Sequence, residues 1–434
     1  MPSATSDVFS SYREFNETLR ALVSASDLDD AWSKCVTASL DGAAGTELRR
    51  LVDLTSRRAH GAFFTGSALA ERLLRRTRFL PHRHFIYDPT VGAGDLLLAA
   101  ARRLPCARTA SATLRAWGRC LAGTDLHEEF VEAVKLRLAL LARQRHGSRR
   151  PLPASWRDLL PYITRGNGLE QKDLFARSTH LLMNPPYNLT AAPRDCRWAH
   201  GRISQAALFV IRALEMASPG TRLFAVLPDV LRAGSFQHHW RGRVGDLATF
   251  GSVERYGIFD NSADVDVFLL AVRRSASRSG HQRLWPGSEA AGRSTVGDYF
   301  DVHVGRVVPH RDPEEGEEHP YIHPRIVPVW EEMTRFSEVR RHQGRPYQPP
   351  FTVLRRTSRP GDRHRAAATV VLGTTSVAVE NHLIVCEPRD GSPDTCRALL
   401  RHLQTNGVSD FLDQRIRCRH LTVAAVAAIP FERR

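Results

Sequence analysis

His180-Leu181-Leu182-Met183-Asn184-Pro185-Pro186-Tyr187 is an apolar run that ends abruptly in a carboxamide, two prolines and an aromatic ring. Proline has no amide hydrogen and a fixed φ, so a strand over residues 180–183 must stop there. On both sides of it, from Gly61 to about Arg274, short apolar strands alternate with amphipathic helices. Strands are expected at 85–87, 120–123, 223–227 and 265–270, and helices at 96–101, 128–141 and 205–216. That alternation predicts an α/β class, a doubly wound, Rossmann-like sheet.

The chain has 434 residues, more than one typical domain. Residues 1–55 place Phe15, Leu19, Leu22, Val23, Leu28, Trp32 and Val36 at helical spacing, which predicts a helical lead-in. The sheet domain is expected over 56–274. A Ser-, Gly- and Arg-rich stretch from Ser275 predicts a linker over 275–320, with Asp312 to Glu318 as a solvated acidic loop. Strand-like runs at 368–372 and 383–386 and a helix at 394–404 predict a second, α+β domain over 321–434.

With 42 % hydrophobic and 25 % charged residues, the composition is that of a globular protein. No apolar run approaches the roughly 18 residues of a membrane span, and the N-terminus lacks a secretory pattern, so a cytoplasmic protein without a membrane partner is expected. Seven scattered cysteines form no CxxC pair, and histidine clusters such as His82-Arg83-His84 lack ligand spacing; no metal site is expected. The net charge of +15 suits a polyanionic partner. Only Lys34, Lys135 and Lys172 are lysines, a mark of GC-rich codons. Codon usage explains arginine over lysine but not base over acid.

Asp88-Pro89-Thr90-Val91-Gly92-Ala93-Gly94-Asp95 follows one expected strand and opens a helix. Glycines at such a junction let a ligand approach the backbone closely. Gly123-Thr124-Asp125 ends the next strand with a carboxylate suited to both hydroxyls of a ribose. About 30 residues separate the two features, against ~20 in the usual pair, and residues 105–119 are read as an insertion. At the tetrapeptide, two prolines leave carbonyl oxygens free to point into a pocket. An aromatic amine such as adenine N6 is a poor nucleophile because its lone pair is delocalised. If its N–H groups donate to the Asn184 side-chain oxygen and the Pro185 carbonyl, the nitrogen is drawn toward tetrahedral geometry and can attack a sulfonium methyl group.

In this order, the segments resemble the gamma class of DNA amino-methyltransferases of restriction-modification and phage-defence systems, over about residues 56–274. The resemblance implies S-adenosyl-L-methionine as cofactor, double-stranded DNA as partner, and transfer to the N6 amine of a flipped adenine, with cytosine N4 left open. It implies that Phe64 and Thr65, within Gly61-Ala62-Phe63-Phe64-Thr65, help close the cofactor pocket, with Gly66 where the family usually has proline. Asp88, Pro89, Gly92 and Gly94 match its cofactor loop, and Asp125 followed by Leu126 its ribose site. Either Asn167 or Asp173 matches the residue that meets the cofactor adenine. Asn184, Pro185 and Tyr187 match its catalytic tetrapeptide, Asn184 also bordering the cofactor. Phe259, in Tyr256-Gly257-Ile258-Phe259, matches the aromatic that would sandwich the base with Tyr187; the competing reading is a core phenylalanine.

More loosely, Leu354-Arg355-Arg356-Thr357-Ser358-Arg359 and Val379-Glu380-Asn381-His382-Leu383 look like target-recognition segments. Residues 321–434 carry 18 arginines against 11 acids, a net of +7. Arg355, Arg356 and Arg359 are the expected DNA-binding residues, in a run that also holds Arg363 and Arg365 around Pro360 and Gly361; a solvated, codon-biased loop is the alternative. Other functions share parts of the pattern. An rRNA or protein-glutamine N-methyltransferase would use the same tetrapeptide, and a non-catalytic DNA-recognition subunit would retain the fold. The basic C-terminal domain favours DNA over the first, and the intact Asn184 and glycine loop favour catalysis over the second. Any nuclease or other defence-system subunit would be a separate chain.

Overall fold

The computed structural model describes residues 8–26, 29–147, 151–234, 237–259, 265–276, 285, 294–358, 362–415 and 420–432. Leu28, Arg359, Pro360, Gly361 and Cys418 lie outside the described residues. Two compact units divide the chain: residues up to Leu231 with His238–Leu284, and Arg232–Gln237 with Trp285 onward. Among the described residues no helix is long and apolar enough to cross a membrane.

Four helices open the first unit, α1 (Arg13–Ser24), α2 (Asp30–Leu40), α3 (Ala43–Leu51) and α4 (Leu54–His60), followed by α5 (Ser67–Leu74). On α1, Phe15, Leu19 and Val23 are buried at helical spacing, each worth roughly 1.5–3 kcal/mol of transfer from water. They join the same hydrophobic core as the sheet.

Strands β1 (Ile86–Asp88), β2 (Leu121–Asp125), β3 (Ile163–Arg165) and β4 (His180–Met183) precede a short hairpin, β5 (Leu189–Ala191) with β6 (Arg202–Ser204). After it come β7 (Arg222–Pro228), β8 (Ala248–Ile258) and β9 (Asp266–Arg274). Seven of these form one sheet in the order β3-β2-β1-β4-β7-β9-β8. Pairing is parallel from β3 across to β7, then antiparallel for β7 with β9 and β9 with β8. Strand order reverses between β1 and β4, and a crevice opens beyond their carboxyl ends at such a point. Asp88 ends β1 and Asn184 follows β4, so both sequence motifs open onto that crevice.

The crossovers hold α6 (Asp95–Arg102), α7 (Ala110–Gly118), α8 (Glu128–His146), α9 (Lys172–Arg177) and α10 (Gln205–Met216). Residues 105–119, read as an insertion, hold α7, a second helix in the crossover from β1 to β2. Thr109 caps α7 by accepting from Ala112 N at 3.1 Å, and Leu114 and Trp117 are buried as α7 packs on α8. Two buried arginines on α8 receive the carbonyl ends of N-terminal helices. Arg143 donates to Val23 O at 2.6 Å and Ala25 O at 2.7 Å, and Arg137 to Ser39 O at 3.1 Å.

β8 is a second departure, since the sequence shows no continuous apolar run there. Its antiparallel pairing with β9 puts Tyr256, Gly257 and Ile258 inside a strand, and Phe259 N donates to Val265 O at 2.8 Å to close the hairpin. The other departure is the linker. From Thr295 onward, the stretch expected as linker folds into the second unit: Thr295 and Asp298 make a capping box, and β10 (Phe300–Val304) pairs antiparallel with β17 (Leu383–Pro388). Strand β11 (Glu317–Ile322) takes in the last two acids of the expected acidic loop, with Glu318 opposite Arg341.

That second unit is built from a five-stranded sheet, in which β12 (Glu332–Met333), β14 (Phe351–Arg355) and β15 (Ala368–Val371) complete the order β10-β17-β14-β15-β12. A smaller sheet has β11 between β13 (Val339–His342) and β16 (Ala378–Val379). The helix Pro393–Leu403 buries Leu399, Leu400 and Leu403 in a core with Leu354 and Ile384.

Candidate active site

The turn after β1 is held by its own carboxylates. Asp88, 1 % exposed, accepts from Thr90 N at 2.9 Å and Thr90 Oγ1 at 3.3 Å, and burial pushes its carboxyl up to about 8. Asp125 reaches across from β2: its Oδ2 accepts from Gly92 N at 3.0 Å and its Oδ1 from His127 N at 3.0 Å. Burial raises its carboxyl to about 6. Gly168 is obligatory for the turn's other flank, because a Cβ there would lie 1.9 Å from Pro89 O.

Past β4, Asn184 is fixed by the segment before α5. Its Nδ2 donates to Phe63 O at 3.2 Å and to Thr65 Oγ1 at 3.1 Å, while its Oδ1 accepts from the Tyr187 hydroxyl at 2.9 Å. One lone pair of that oxygen remains for an incoming donor. Pro186 packs on Gly61, where φ is +64° and a Cβ would come within 2.4 Å of the proline Cβ. Neither feature admits a larger residue.

Phe259 stands 6.1 Å from Tyr187, centroid to centroid, and the rings meet edge to face at 65°. Rings meeting in this way leave no slot for a third ring between them. Tyr256, its neighbour in sequence, is occupied: the Arg72 guanidinium lies 5.2 Å over its ring and pairs with Glu254 at 2.7 Å.

A cavity of about 590 Å³ joins these pieces, within the usual range of small-molecule sites. Its lining includes Phe64, Thr65, Asp88, Pro89, Gly92, Asp125, Leu126, Asn167 and Asn184. Gly94, Pro185, Tyr187 and Phe259 are not part of the lining. Of the two alternatives for the cofactor adenine, Asn167 borders the cavity, whereas Asp173 is exposed on α9 and does not.

Several lining residues carried no signal in the sequence. His60, His127 and Phe130 form an aromatic wall with Phe9, whose ring lies 4.4 Å from His127 and 4.8 Å from Phe130. Burial pulls the His127 imidazole down to about 4, so it is neutral at physiological pH. Asp95 also lines the cavity, paired at 2.9 Å with a fully buried Arg137. These contacts join residues far apart in the chain, and only folding reveals them.

In the second unit the arginine-rich run is divided. Arg365 is fully buried and pairs with Asp413 at 3.4 Å, so it is a core ion pair rather than a surface reader. Arg363 is exposed. Arg355 and Arg356 are half-buried, donating to Val327 O and Asn381 O, each at 3.2 Å. Arg355, Arg325 and Arg340 border a cleft of about 660 Å³ with His310, His323 and His382, and Glu380 is its acid. Arg356 is not part of that cleft.

No family model matches this chain, and no curated protein does. Among solved structures it is similar to the type IIL restriction-modification enzyme MmeI in complex with DNA, with a TM-score of 0.54 at 11 % identity over 88 % of this chain and 70 % of that one. Weaker likenesses include a modification subunit assigned to a type I restriction enzyme from Vibrio vulnificus, with a TM-score of 0.39 at 18 % identity over 56 % of this chain. This chain spans about half the length of that subunit, 49 %. Another is a Listeria monocytogenes protein described as a class I S-adenosylmethionine-dependent methyltransferase, with a TM-score of 0.40 at 12 % identity over 64 % of this chain and 87 % of that one. Identities this low speak to fold alone. The sheet order and the likeness to MmeI give this chain a Rossmann-like methyltransferase fold with an added α+β unit.

Proposed function

We propose that this chain is a DNA methyltransferase of restriction-modification or phage-defence type, which moves a methyl group from S-adenosyl-L-methionine to the N6 amine of a flipped adenine. One observation carries the reading: Asn184-Pro185-Pro186-Tyr187 and the Asp88–Gly94 turn leave adjacent parallel strands, and Asn184, Asp88 and Asp125 line one cavity.

The residues present suit that cofactor. Each oxygen of Asp125 has a lone pair left beyond its backbone bond and can accept a ribose hydroxyl, Asn167 is in reach of the same cavity, and Gly92 leaves the wall open where a side chain would meet Phe64 at 3.0 Å. When bound, the cofactor supplies an electrophilic sulfonium methyl group. Asn184, its amide plane locked by Phe63 and Thr65, offers Oδ1 to one N–H of the target amine, and the Pro185 carbonyl takes the other. These two bonds draw the amine lone pair out of conjugation, and the amine releases its proton after transfer without a strong general base. Tyr187 and Phe259 hold the extruded base once one ring has turned.

The cleft of the second unit suits double-stranded DNA. Arg325 and Arg355 can take phosphates or guanine edges, and Glu380 a base amine. Replacing Arg355 and Arg356 by alanine should weaken specific binding by ~1–3 kcal/mol for each base edge that is no longer read. If the two side chains meet phosphates alone, the same change would lower affinity uniformly across sequences and flatten the salt dependence. A nuclease or other defence subunit acting on the same DNA would be a separate partner.

The test is nucleoside mass spectrometry and long-read sequencing of DNA from cells expressing the chain. N6-methyladenine in one sequence context supports the reading. N4-methylcytosine would move the target base, and unmodified DNA from an expressed, cofactor-binding protein would refute it.

A further inference from the structure

Gly66 stands where the resembling family usually has proline, and its conformation excludes that residue. Its φ is +73°, outside proline's range, and its N–H is needed: it donates to Asp95 Oδ2 at 2.7 Å. The other oxygen of Asp95 accepts from Arg137 Nη1 at 2.9 Å, and the same nitrogen donates to Ala93 O at 2.6 Å. Arg137 Nε reaches Ser39 O at the end of α2. Both charged side chains are sequestered, 0 % exposed for Arg137 and 6 % for Asp95, so each depends on the other. One ion pair thus ties together the glycine turn, the segment before α5 and the N-terminal helices. Next to Gly66 in sequence, Thr65 Oγ1 accepts from Asn184 Nδ2.

We propose that Asp95 and Arg137 are positioning residues for Asn184, acting through Gly66 and Thr65 to set the plane of its carboxamide. The proposal rests on the methyltransferase reading of the site. A residue without an acceptor at position 95 would leave Gly66 N–H unpaired and free residues 63–66 to shift. Asn184 would then keep its place in the chain but lose the orientation of its oxygen. A displacement of about 1 Å at such a group can cost on the order of 100-fold in rate.

Two measurements on the full chain test this, one independent of activity. Hydrogen exchange of peptides spanning 61–67 should accelerate by at least about tenfold in Asp95→Ala, with β1 and β4 unchanged, and Asp95→Asn should restore part of the protection because its oxygen can still accept from Gly66. Single-turnover methyl transfer should fall by about 30- to 100-fold in Asp95→Ala, with affinity for S-adenosyl-L-methionine changed far less. In a double-mutant cycle, adding Thr65→Val to Asp95→Ala should slow transfer by no more than about threefold further, because both changes break the same chain of bonds. If Asp95→Ala does not fold because Arg137 is left as a lone buried charge, the paired Asp95→Leu, Arg137→Met variant takes its place in the cycle. Unchanged exchange over 61–67, or multiplicative effects in the cycle, would overturn the positioning role. Wild-type protein that binds cofactor but never transfers methyl would instead remove the methyltransferase reading, while the exchange result still decides whether the clamp exists.

Discussion

The wall of the cavity and the aromatic pair beside it are built differently. On the side of β1 and β2, each carboxylate is answered within the protein: Asp88 by Thr90, Asp125 by Gly92 and His127, Asp95 by Gly66 and Arg137. On the side of β8, Tyr187 and Phe259 are half-buried and touch edge to face. The first side is set when the chain folds, because a buried polar group must be satisfied. On the second, the Tyr187 ring is fixed by its hydroxyl, which donates to Asn184 Oδ1 at 2.9 Å, whereas the Phe259 ring is held by packing alone and can turn at less cost. A site that binds a small molecule repeatedly gains from the first kind of wall, and one that must admit an extruded base gains from the second.

The largest expected effect breaks the junction between the two sides. Asn184→Ala should lower methyl transfer by at least about 100-fold while cofactor affinity stays nearly constant, since on the proposed reading the missing oxygen is the one that would engage the base. Single-turnover assays with calorimetry decide it, and a variant keeping more than a tenth of wild-type turnover would end the assignment.

On the preformed side, Asp125→Ala would remove the charge-assisted bond proposed to the ribose, worth about 1.5–3 kcal/mol, so cofactor affinity should fall roughly ten- to a hundredfold. Unchanged affinity by calorimetry would place the ribose acid elsewhere. On the aromatic side, Phe259→Ala should slow transfer by about tenfold on paired DNA and less on a substrate whose target base is mismatched, since extrusion would then cost less. Equal losses on the two substrates would make Phe259 a core residue.

The smallest effects are those of pH. Asp125, raised to about 6, must be ionised to bind the ribose strongly, so cofactor affinity should weaken as pH falls through 6, by at most about tenfold per unit for one proton. Asp88, raised to about 8, holds its proton in the folded state at pH values where the unfolded chain has lost it. Its contribution to stability is therefore full at low pH, declines as pH rises from the ordinary carboxyl range, and levels off above about 8. Asp88→Asn should raise the melting temperature of the cofactor-free protein at pH 8.5 and leave it almost unchanged at pH 4. A stabilisation equal at both pH values would show that Asp88 is already ionised when folded.

Legibility from the sequence followed local determinism. β4 lies where its apolar run predicted, because a strand buried on both faces must be apolar throughout and two prolines must end it. α10 also spans the predicted residues, with Ser204 as its cap. β8 was illegible: it is an edge strand whose Glu254 and Arg255 break any apolar run, and its place depends on pairing with β9. Arg365 looked like its neighbours Arg355 and Arg363, and only the approach of Asp413 makes it a core residue.

By itself, the sequence determined the alternating α/β plan, the glycine turn, the acid at the end of β2 and the Asn-Pro-Pro-Tyr break. Each is written in a few adjacent residues whose backbone preferences leave little choice. The tertiary structure alone decided that Asn167 rather than Asp173 borders the cavity, that His60, backed by Phe9 from the N-terminal region, lines it, and that Asp95 and Arg137, 42 positions apart, form one buried pair beneath Gly66. Charges on two different helices carry no mark of each other in the chain. Their partnership arises only when packing removes both from water, where neither is stable without the other.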